Sequence, residues 1–257
     1  MQHLIINADD FGKNNEVTYA ILSLMDQNLC LDTTLLVNFE DSEHAARLAI
    51  KMHKRNNVGI HLNLTEGKPL TEHIKREKRF CNEMGVFHYN KRERIVMLTS
   101  SEKRAVYEEL SSQIHLCRRF GIPISHADSH NHVHEEPGLF FILMHLLKNE
   151  KIPFLRLANN LETTLLKNKF YRNTYNHALS LYKRNGTNYF GSTLDYFNYQ
   201  KRPRNNSITE IMIHPGKIHN DHVFDTCTHE NLNFNLPKII NGNKLISYCQ
   251  LKYHNAG

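Results

Sequence analysis

The sequence contains no tryptophan and only five cysteines in 257 residues, none spaced as C-x-x-C. Cys30, Cys81, Cys117, Cys227 and Cys249 are scattered and odd in number, which argues against a disulfide framework or zinc ribbon and for reduced thiols in the cytoplasm. Without tryptophan, the 13 Phe and 11 Tyr must carry the aromatic packing. The opening MQHLIINADD lacks a basic n-region and reaches two aspartates after a short apolar run, so neither a signal peptide nor a membrane span is expected there. There is no linker rich in Pro, Gly or Ser and no internal repeat, and residues 1–257 are expected to form one domain.

Charge is not lacking. The formal net charge is +6, with basic clusters at IKREKR (74–79), KRER (91–94) and KRPR (201–204), two of them interrupted by glutamate. No nucleic-acid-binding fingerprint accompanies them, so the expectation is solvated loops, with no nucleic-acid partner and no membrane partner.

Short apolar runs alternate with helical patterns. LIINA (4–8), TTLLV (33–37), VGIHLNL (58–64), IPISHAD (122–128), IPFLRL (152–157), EIMIHP (210–215) and KLISY (244–248) read as strands. Residues 15–28, 41–53, 100–120 and 137–149 read as helices, the second opened by an Asp/Ser cap, with a further helix over 172–185 and a strand near Tyr189. Residues 65–100 are polar and weakly periodic, and are expected to form an excursion over one face. Strand–helix alternation with short connections implies parallel βα units and an α/β fold of the (β/α) barrel type, irregular or seven-stranded.

In such folds chemistry gathers where strands end. Asp9 and Asp10 close the first strand, His61 falls near the end of the third, His126 and Asp128 close the fourth, Arg156 lies late in the fifth and His214 closes a later one. The stretch SHADSHNHVHEE (125–136) carries His126, Asp128, His130, His132 and His134 at every second position, the spacing that lines one face of a strand. A half-buried strand would place aliphatic residues there. Same-face neighbours lie about 6–7 Å apart, so one ion takes only one or two ligands from this run, and His132 and His134 are expected in the following loop. Consecutive Asp9 and Asp10 point to opposite faces unless the pleat breaks between them. The Asp10-Phe11-Gly12 triplet also spells a kinase metal motif, but the H-R-D and Gly-rich loops that it requires are missing.

INADDFG (6–12), VGIHLNLTEGKPL (58–70), ISHADSHNHVH (124–134) and IMIHPG (211–216), in this order, resemble the YdjC-like carbohydrate deacetylases of the chitooligosaccharide deacetylase type. The segments 158–209 and 229–244 depart from that pattern. The resemblance implies a barrel-like fold, one divalent metal ion (Mg or Zn), an N-acetylated sugar as substrate, and hydrolysis to acetate and a free amine. Transferred residue by residue, it implies Asp10, His61 and His126 as metal ligands. Asp9 is then assigned as general base and His214 as general acid, with Asp128, His130, Asn63 and Arg156 supporting the ligands or the substrate. A homodimer is compatible with this reading. The alternatives are a metal-dependent phosphoesterase, which would usually hold two ions, and a non-catalytic carbohydrate-binding relative.

Overall fold

The computed structural model describes residues 1–90, 94–161, 166–199 and 205–254. Most of KRER (91–94) and all of KRPR (201–204) lie outside the described residues. The chain opens with β1 (His3–Phe11) and α1 (Asn15–Asp26), followed by β2 (Asp32–Leu35), α2 (Ser42–Lys51) and β3 (Val58–Leu62). Asn14 caps α1 by accepting the Val17 N–H at 2.9 Å, and the stripe Val17, Ile21, Leu24 and Met25 is buried against the sheet. Each such side chain contributes about 1.5–3 kcal/mol by leaving water. Asp41 makes no cap bond to α2; instead Ser42 closes the turn through its hydroxyl and Phe39.

Among its described residues the excursion after β3 forms one short helix, α3 (Glu72–Lys75), and then leads to α4 (Ser100–Arg119), whose Thr99 and Glu102 form a reciprocal capping box. It packs against α4, where the Glu109 carboxylate accepts the Leu70 and Thr71 N–H groups. Next come β4 (Ala127–Ser129), α5 (Phe140–Asn149), α6 (Leu166–Leu181), β5 (Tyr189–Ser192), α7 (Thr193–Asn198) and β6 (Ile208–Ile213). A hairpin of β7 (Pro215–His219) and β8 (His222–Asp225) precedes α8 (Leu232–Ile240), β9 (Lys244–Leu245) and α9 (Tyr248–His254). No helix among the described residues is long and apolar enough to cross a membrane.

Six parallel strands run in the order β4–β3–β2–β1–β6–β5, and β9 pairs with the start of β1. The sheet curls into a half-barrel, and the predicted strand at 152–157 joins its edges as an irregular segment. Ala127 N–H donates to Phe154 O at 2.9 Å and Arg156 N–H to Ala127 O at 3.0 Å on the β4 side. At the other end Asn160 and Leu161 donate to Phe190 O at 3.1 and 3.2 Å on β5.

Strand alternation sorts the sheet into two faces. Leu4, Ile6 and Ala8 of β1 face the helices and join the main core, as do Val58, Ile60 and Leu62 of β3. The other face of β1 reads Ile5, Asn7, Asp9 from bottom to top. Ile5 packs with Phe154, Ile246, Tyr248 and Leu251 on the barrel floor. The lumen therefore turns from apolar to amide to carboxylate toward the C-terminal ends of the strands.

Candidate active site

At the end of β1 the pleat breaks. The β1–β2 register shifts between Ala8 and Phe11, and Asp10 adopts a left-handed φ of 69°. Such a bulge re-aims side chains. It leaves Asp9 in the lumen and turns Asp10 onto the rim, so two consecutive carboxylates serve adjoining parts of one site.

Asp9 is held from below. Arg156 grips it through two bonds, Nη1 to Oδ2 at 2.6 Å and Nη2 to Oδ1 at 2.7 Å, and Asn7 Nδ2 donates to Oδ1 at 2.8 Å. Arg156 also reaches Asp128 Oδ2 at 2.8 Å and Glu210 Oε1 at 2.7 Å, with the Phe190 ring 4.9 Å away. Burial alone would raise the Asp9 pKa, but the guanidinium overrides it and holds the carboxyl well below its ordinary value. Arg156, assigned from sequence to substrate or ligand support, is fully buried and acts as the hub of these carboxyls.

Register places His61 opposite Asp128 on β3 and β4. His61 Nδ1 lies 2.6 Å from Asp128 Oδ1 and its Nε2 3.2 Å from Asp10 Oδ1. His130, just past β4, places Nδ1 2.8 Å from the same Asp10 oxygen and Nε2 2.8 Å from Glu66 Oε2. Lys13 Nζ closes the set at 2.8 Å from Glu66. Burial works against a charged His61, yet Asp128 and Asp10 lift it to about 10; His130 is likewise raised, against burial, by Asp10 and Glu66. The hydrogen bond from His130 in turn lowers Glu66 to about 2. Asp10 sits well below its ordinary value because both imidazoles outweigh its burial.

The ligand atoms of Asp10, His61 and His130 lie within 4.8 Å of one another. One carboxylate oxygen and two imidazole nitrogens, each ring backed by a carboxylate on its other nitrogen, fit a divalent cation. The fields that raise both imidazole pKa values attract a cation as they attract a proton.

His126, expected as the third ligand, is not in this group. It shares a face with Asp128 and His130 but lies one level deeper, with Nδ1 2.8 Å from Ser125 Oγ and Nε2 3.0 Å from Asn7 Oδ1. Its ring stacks on Tyr248 at 3.9 Å. Gly59 makes room for it, since a Cβ there would lie 2.7 Å from the ring. The strand expected over 122–128 is in fact β4 at Ala127–Ser129, because a left-handed Ile124 (φ 51°) interrupts the run. The level of Asp10 is instead met by His130.

His214 follows β6 with its Nε2 3.9 Å from Asp9 Oδ2 and its side chain 21% exposed. The hairpin fixes its backbone: Asp225 Oδ2 accepts His214 N–H at 2.7 Å and Thr226 N–H donates to His214 O at 2.8 Å. A Cβ on Gly216 would lie 2.1 Å from Thr226 Cγ2, so any larger residue in this place must push the Thr226 side chain aside. Against burial, the Cys227 thiol and Asp9 raise the His214 pKa to about 9.

Asn63, expected near substrate, shapes a loop. Its Oδ1 accepts the Thr65 and Glu66 N–H groups at 2.9 and 3.2 Å, and its Nδ2 donates to Glu66 O at 2.7 Å. It thereby delivers Glu66, a residue of the excursion that no sequence pattern marks, to the site. Glu210 and Tyr248 were also missed; the Tyr248 hydroxyl donates to Glu210 Oε2 at 2.6 Å.

A family model described as YdjC-like protein matches residues 3–238. A carbohydrate deacetylase of Geobacillus stearothermophilus is 36% identical over 152 residues, covering 59% of this chain and 58% of that protein. One of Clostridium beijerinckii is 35% identical over 150 residues, covering 58% of each. The chain thus spans less than two thirds of the length of the relatives it matches. A crystal structure of an Enterococcus faecalis protein, provisionally described as a cellobiose-phosphate cleavage protein, superposes with a TM-score of 0.72 at 21% identity, covering 97% of this chain and 98% of that one. At that identity the likeness is one of fold.

Proposed function

The chain belongs to the YdjC-like protein family, and from that premise we propose that it is a carbohydrate deacetylase. It would hydrolyse the N-acetyl amide of an amino sugar or chitooligosaccharide to acetate and a free amine, in the cytoplasm, where its five unbridged cysteines stay reduced. The observation that carries the reading is the Asp10–His61–His130 group at the barrel mouth, with Asp9 and His214 beside it.

A divalent ion, magnesium or zinc, held by Asp10, His61 and His130 would polarise the amide carbonyl and acidify water, whose pKa falls from about 15.7 to near 7 on zinc. Asp128 and Glu66 fix the ring orientations of His61 and His130. Asp9 accepts the proton of the attacking water. Because Arg156 keeps Asp9 a weak base, Asp9 holds that proton only until His214 has given up its own. His214, 3.9 Å away and titrating at about 9, is the stronger proton holder. At neutral pH His214 starts protonated and gives its proton to the departing nitrogen as the C–N bond breaks; the proton taken by Asp9 then restores it.

The test is acetate release from a panel of N-acetylated mono- and oligosaccharides, with and without added divalent ions, alongside phosphate release from sugar phosphates. Acetate release that is abolished by chelation and by His61→Ala supports the reading. Phosphate release without acetate, or acetate release indifferent to both treatments, refutes it.

A further inference from the structure

The loop between β4 and α5 carries a second donor set that this mechanism does not use. The ligand atoms of His132, His134 and Glu135 lie within 4.8 Å of one another, and the group shares no residue with Asp10, His61 and His130. His134 and Glu135 are buried. Ser129 Oγ accepts the His134 backbone N–H at 2.9 Å and lies 2.6 Å from its Nδ1. With Nδ1 so engaged, a ligand bond from this ring would be made by Nε2, the arrangement seen when a neighbouring oxygen fixes a metal-binding imidazole.

An independent observation comes from α6. The Tyr175 ring lies 6.3 Å from that of His134, and its hydroxyl is buried with no hydrogen-bond partner among the described residues. Burial pushes its hydroxyl pKa up, and the Glu135 carboxylate adds to that push. A buried hydroxyl left unpaired is costly, and a water bound to an ion at this place would satisfy it. The backbone is also held in an unfavourable form here, Asn131 and His132 both being left-handed at φ 52° and 54°.

We propose that His132, His134 and Glu135 form a second cation site, separate from the first, for a divalent transition ion of the zinc or cobalt class. Two imidazoles and one carboxylate suit such an ion better than magnesium, which prefers oxygen. The two groups share no carboxylate among the described residues, unlike the paired-ion arrangement of phosphoryl-transfer enzymes, whose ions sit about 3.5–4 Å apart. The second ion ties down the loop that presents His130.

The test counts ions. Full-length protein is stripped with chelator, equilibrated with Co²⁺ or with Zn²⁺, passed through a desalting column and analysed by elemental mass spectrometry. The expected stoichiometry is about two ions per chain in the wild type and about one in His61→Ala. It is also about one in His134→Ala and in the milder Glu135→Gln, whose folding is checked by circular dichroism. A wild type that binds one ion, lost in His61→Ala, overturns the proposal, as does a count unchanged in both His134→Ala and Glu135→Gln. Acetate release from the same preparations is scored separately: two ions without acetate would sink the deacetylase reading and leave the second site standing.

Discussion

Replacing Arg156 by methionine keeps most of the side-chain bulk and removes the guanidinium that faces Asp9, Asp128 and Glu210 at 2.6–2.8 Å. All four groups are buried. Breaking a buried ion pair from one side costs about 3–5 kcal/mol, and three orphaned carboxyls place this change at the upper end. With a urea m-value of about 3 kcal/mol/M for a chain of this size, the unfolding midpoint should fall by roughly 1–1.7 M. The loss should also depend on pH. In the native protein Asp9 titrates below its ordinary value of 3.8, so its contribution is present above that pH and is lost as the pH falls through the lowered value. Without Arg156, burial raises Asp9 instead, and its contribution is lost as the pH rises through the raised value. The gap between wild type and Arg156→Met therefore widens from acidic to neutral pH. Urea titrations in chelator at the two pH values measure it. A gap below about 1 kcal/mol, or one equal at both pH values, would refute the account of Arg156 as the counter-charge of the lumen.

Glu66→Gln removes the carboxylate behind His130 and should weaken ion binding at the Asp10 centre about 10–100-fold by calorimetry, with Glu66→Asp recovering part of it. His130→Ala should abolish binding at that centre. His126→Ala should leave it intact while lowering thermal stability by about 1–3 kcal/mol through loss of the Asn7 bond and the Tyr248 stack. Gly59→Ala should cost about 1–3 kcal/mol, because the new methyl group meets the His126 ring and carbonyl; a melt equal to wild type would contradict this. The deacetylation rate should fall as the pH rises past about 9, where His214 loses its proton, and His214→Ala should lower kcat about 10²–10⁴-fold and remove that limb.

Much of this was legible in the residues. Alternating strands and helices specified parallel units, and the adjacent aspartates could serve one site only if the pleat broke, a condition that the register shift at Ala8/Phe11 meets. The every-second-residue rule placed His126, Asp128 and His130 on one face, which is where they lie. What the rule leaves open is height. Register pairs His61 with Asp128, and Asp10 lies on the C-terminal side of that level, so the imidazole that reaches Asp10 must follow Asp128 rather than precede it. Strand direction alone would have selected His130. Glu66 had no such signal, because an Asx turn at Asn63 brings it to the rim from a segment without periodicity. Tyr248 was invisible for a different reason: it reaches the lumen from the C-terminal segment through long-range packing that no local pattern encodes.

That packing gives the barrel floor a part in the chemistry above it. Tyr248 is fixed by its N–H bond to Asp32 Oδ2 at 3.0 Å and by the stack with His126. Its hydroxyl holds one oxygen of Glu210, whose other oxygen holds Arg156 Nε, and Arg156 in turn fixes both oxygens of Asp9. Every link in this chain is buried, so none exchanges readily with bulk water, and a displacement of the Tyr248 hydroxyl is passed on to Glu210 and the guanidinium. The orientation of Asp9 toward His214 is thus set from the bottom of the lumen, two levels below the rim. Substitutions at Tyr248 should consequently alter the pair Asp9 and His214 and, because the same guanidinium holds Asp128 behind His61, disturb His61 by the same route, while His130, oriented by Glu66, keeps its place.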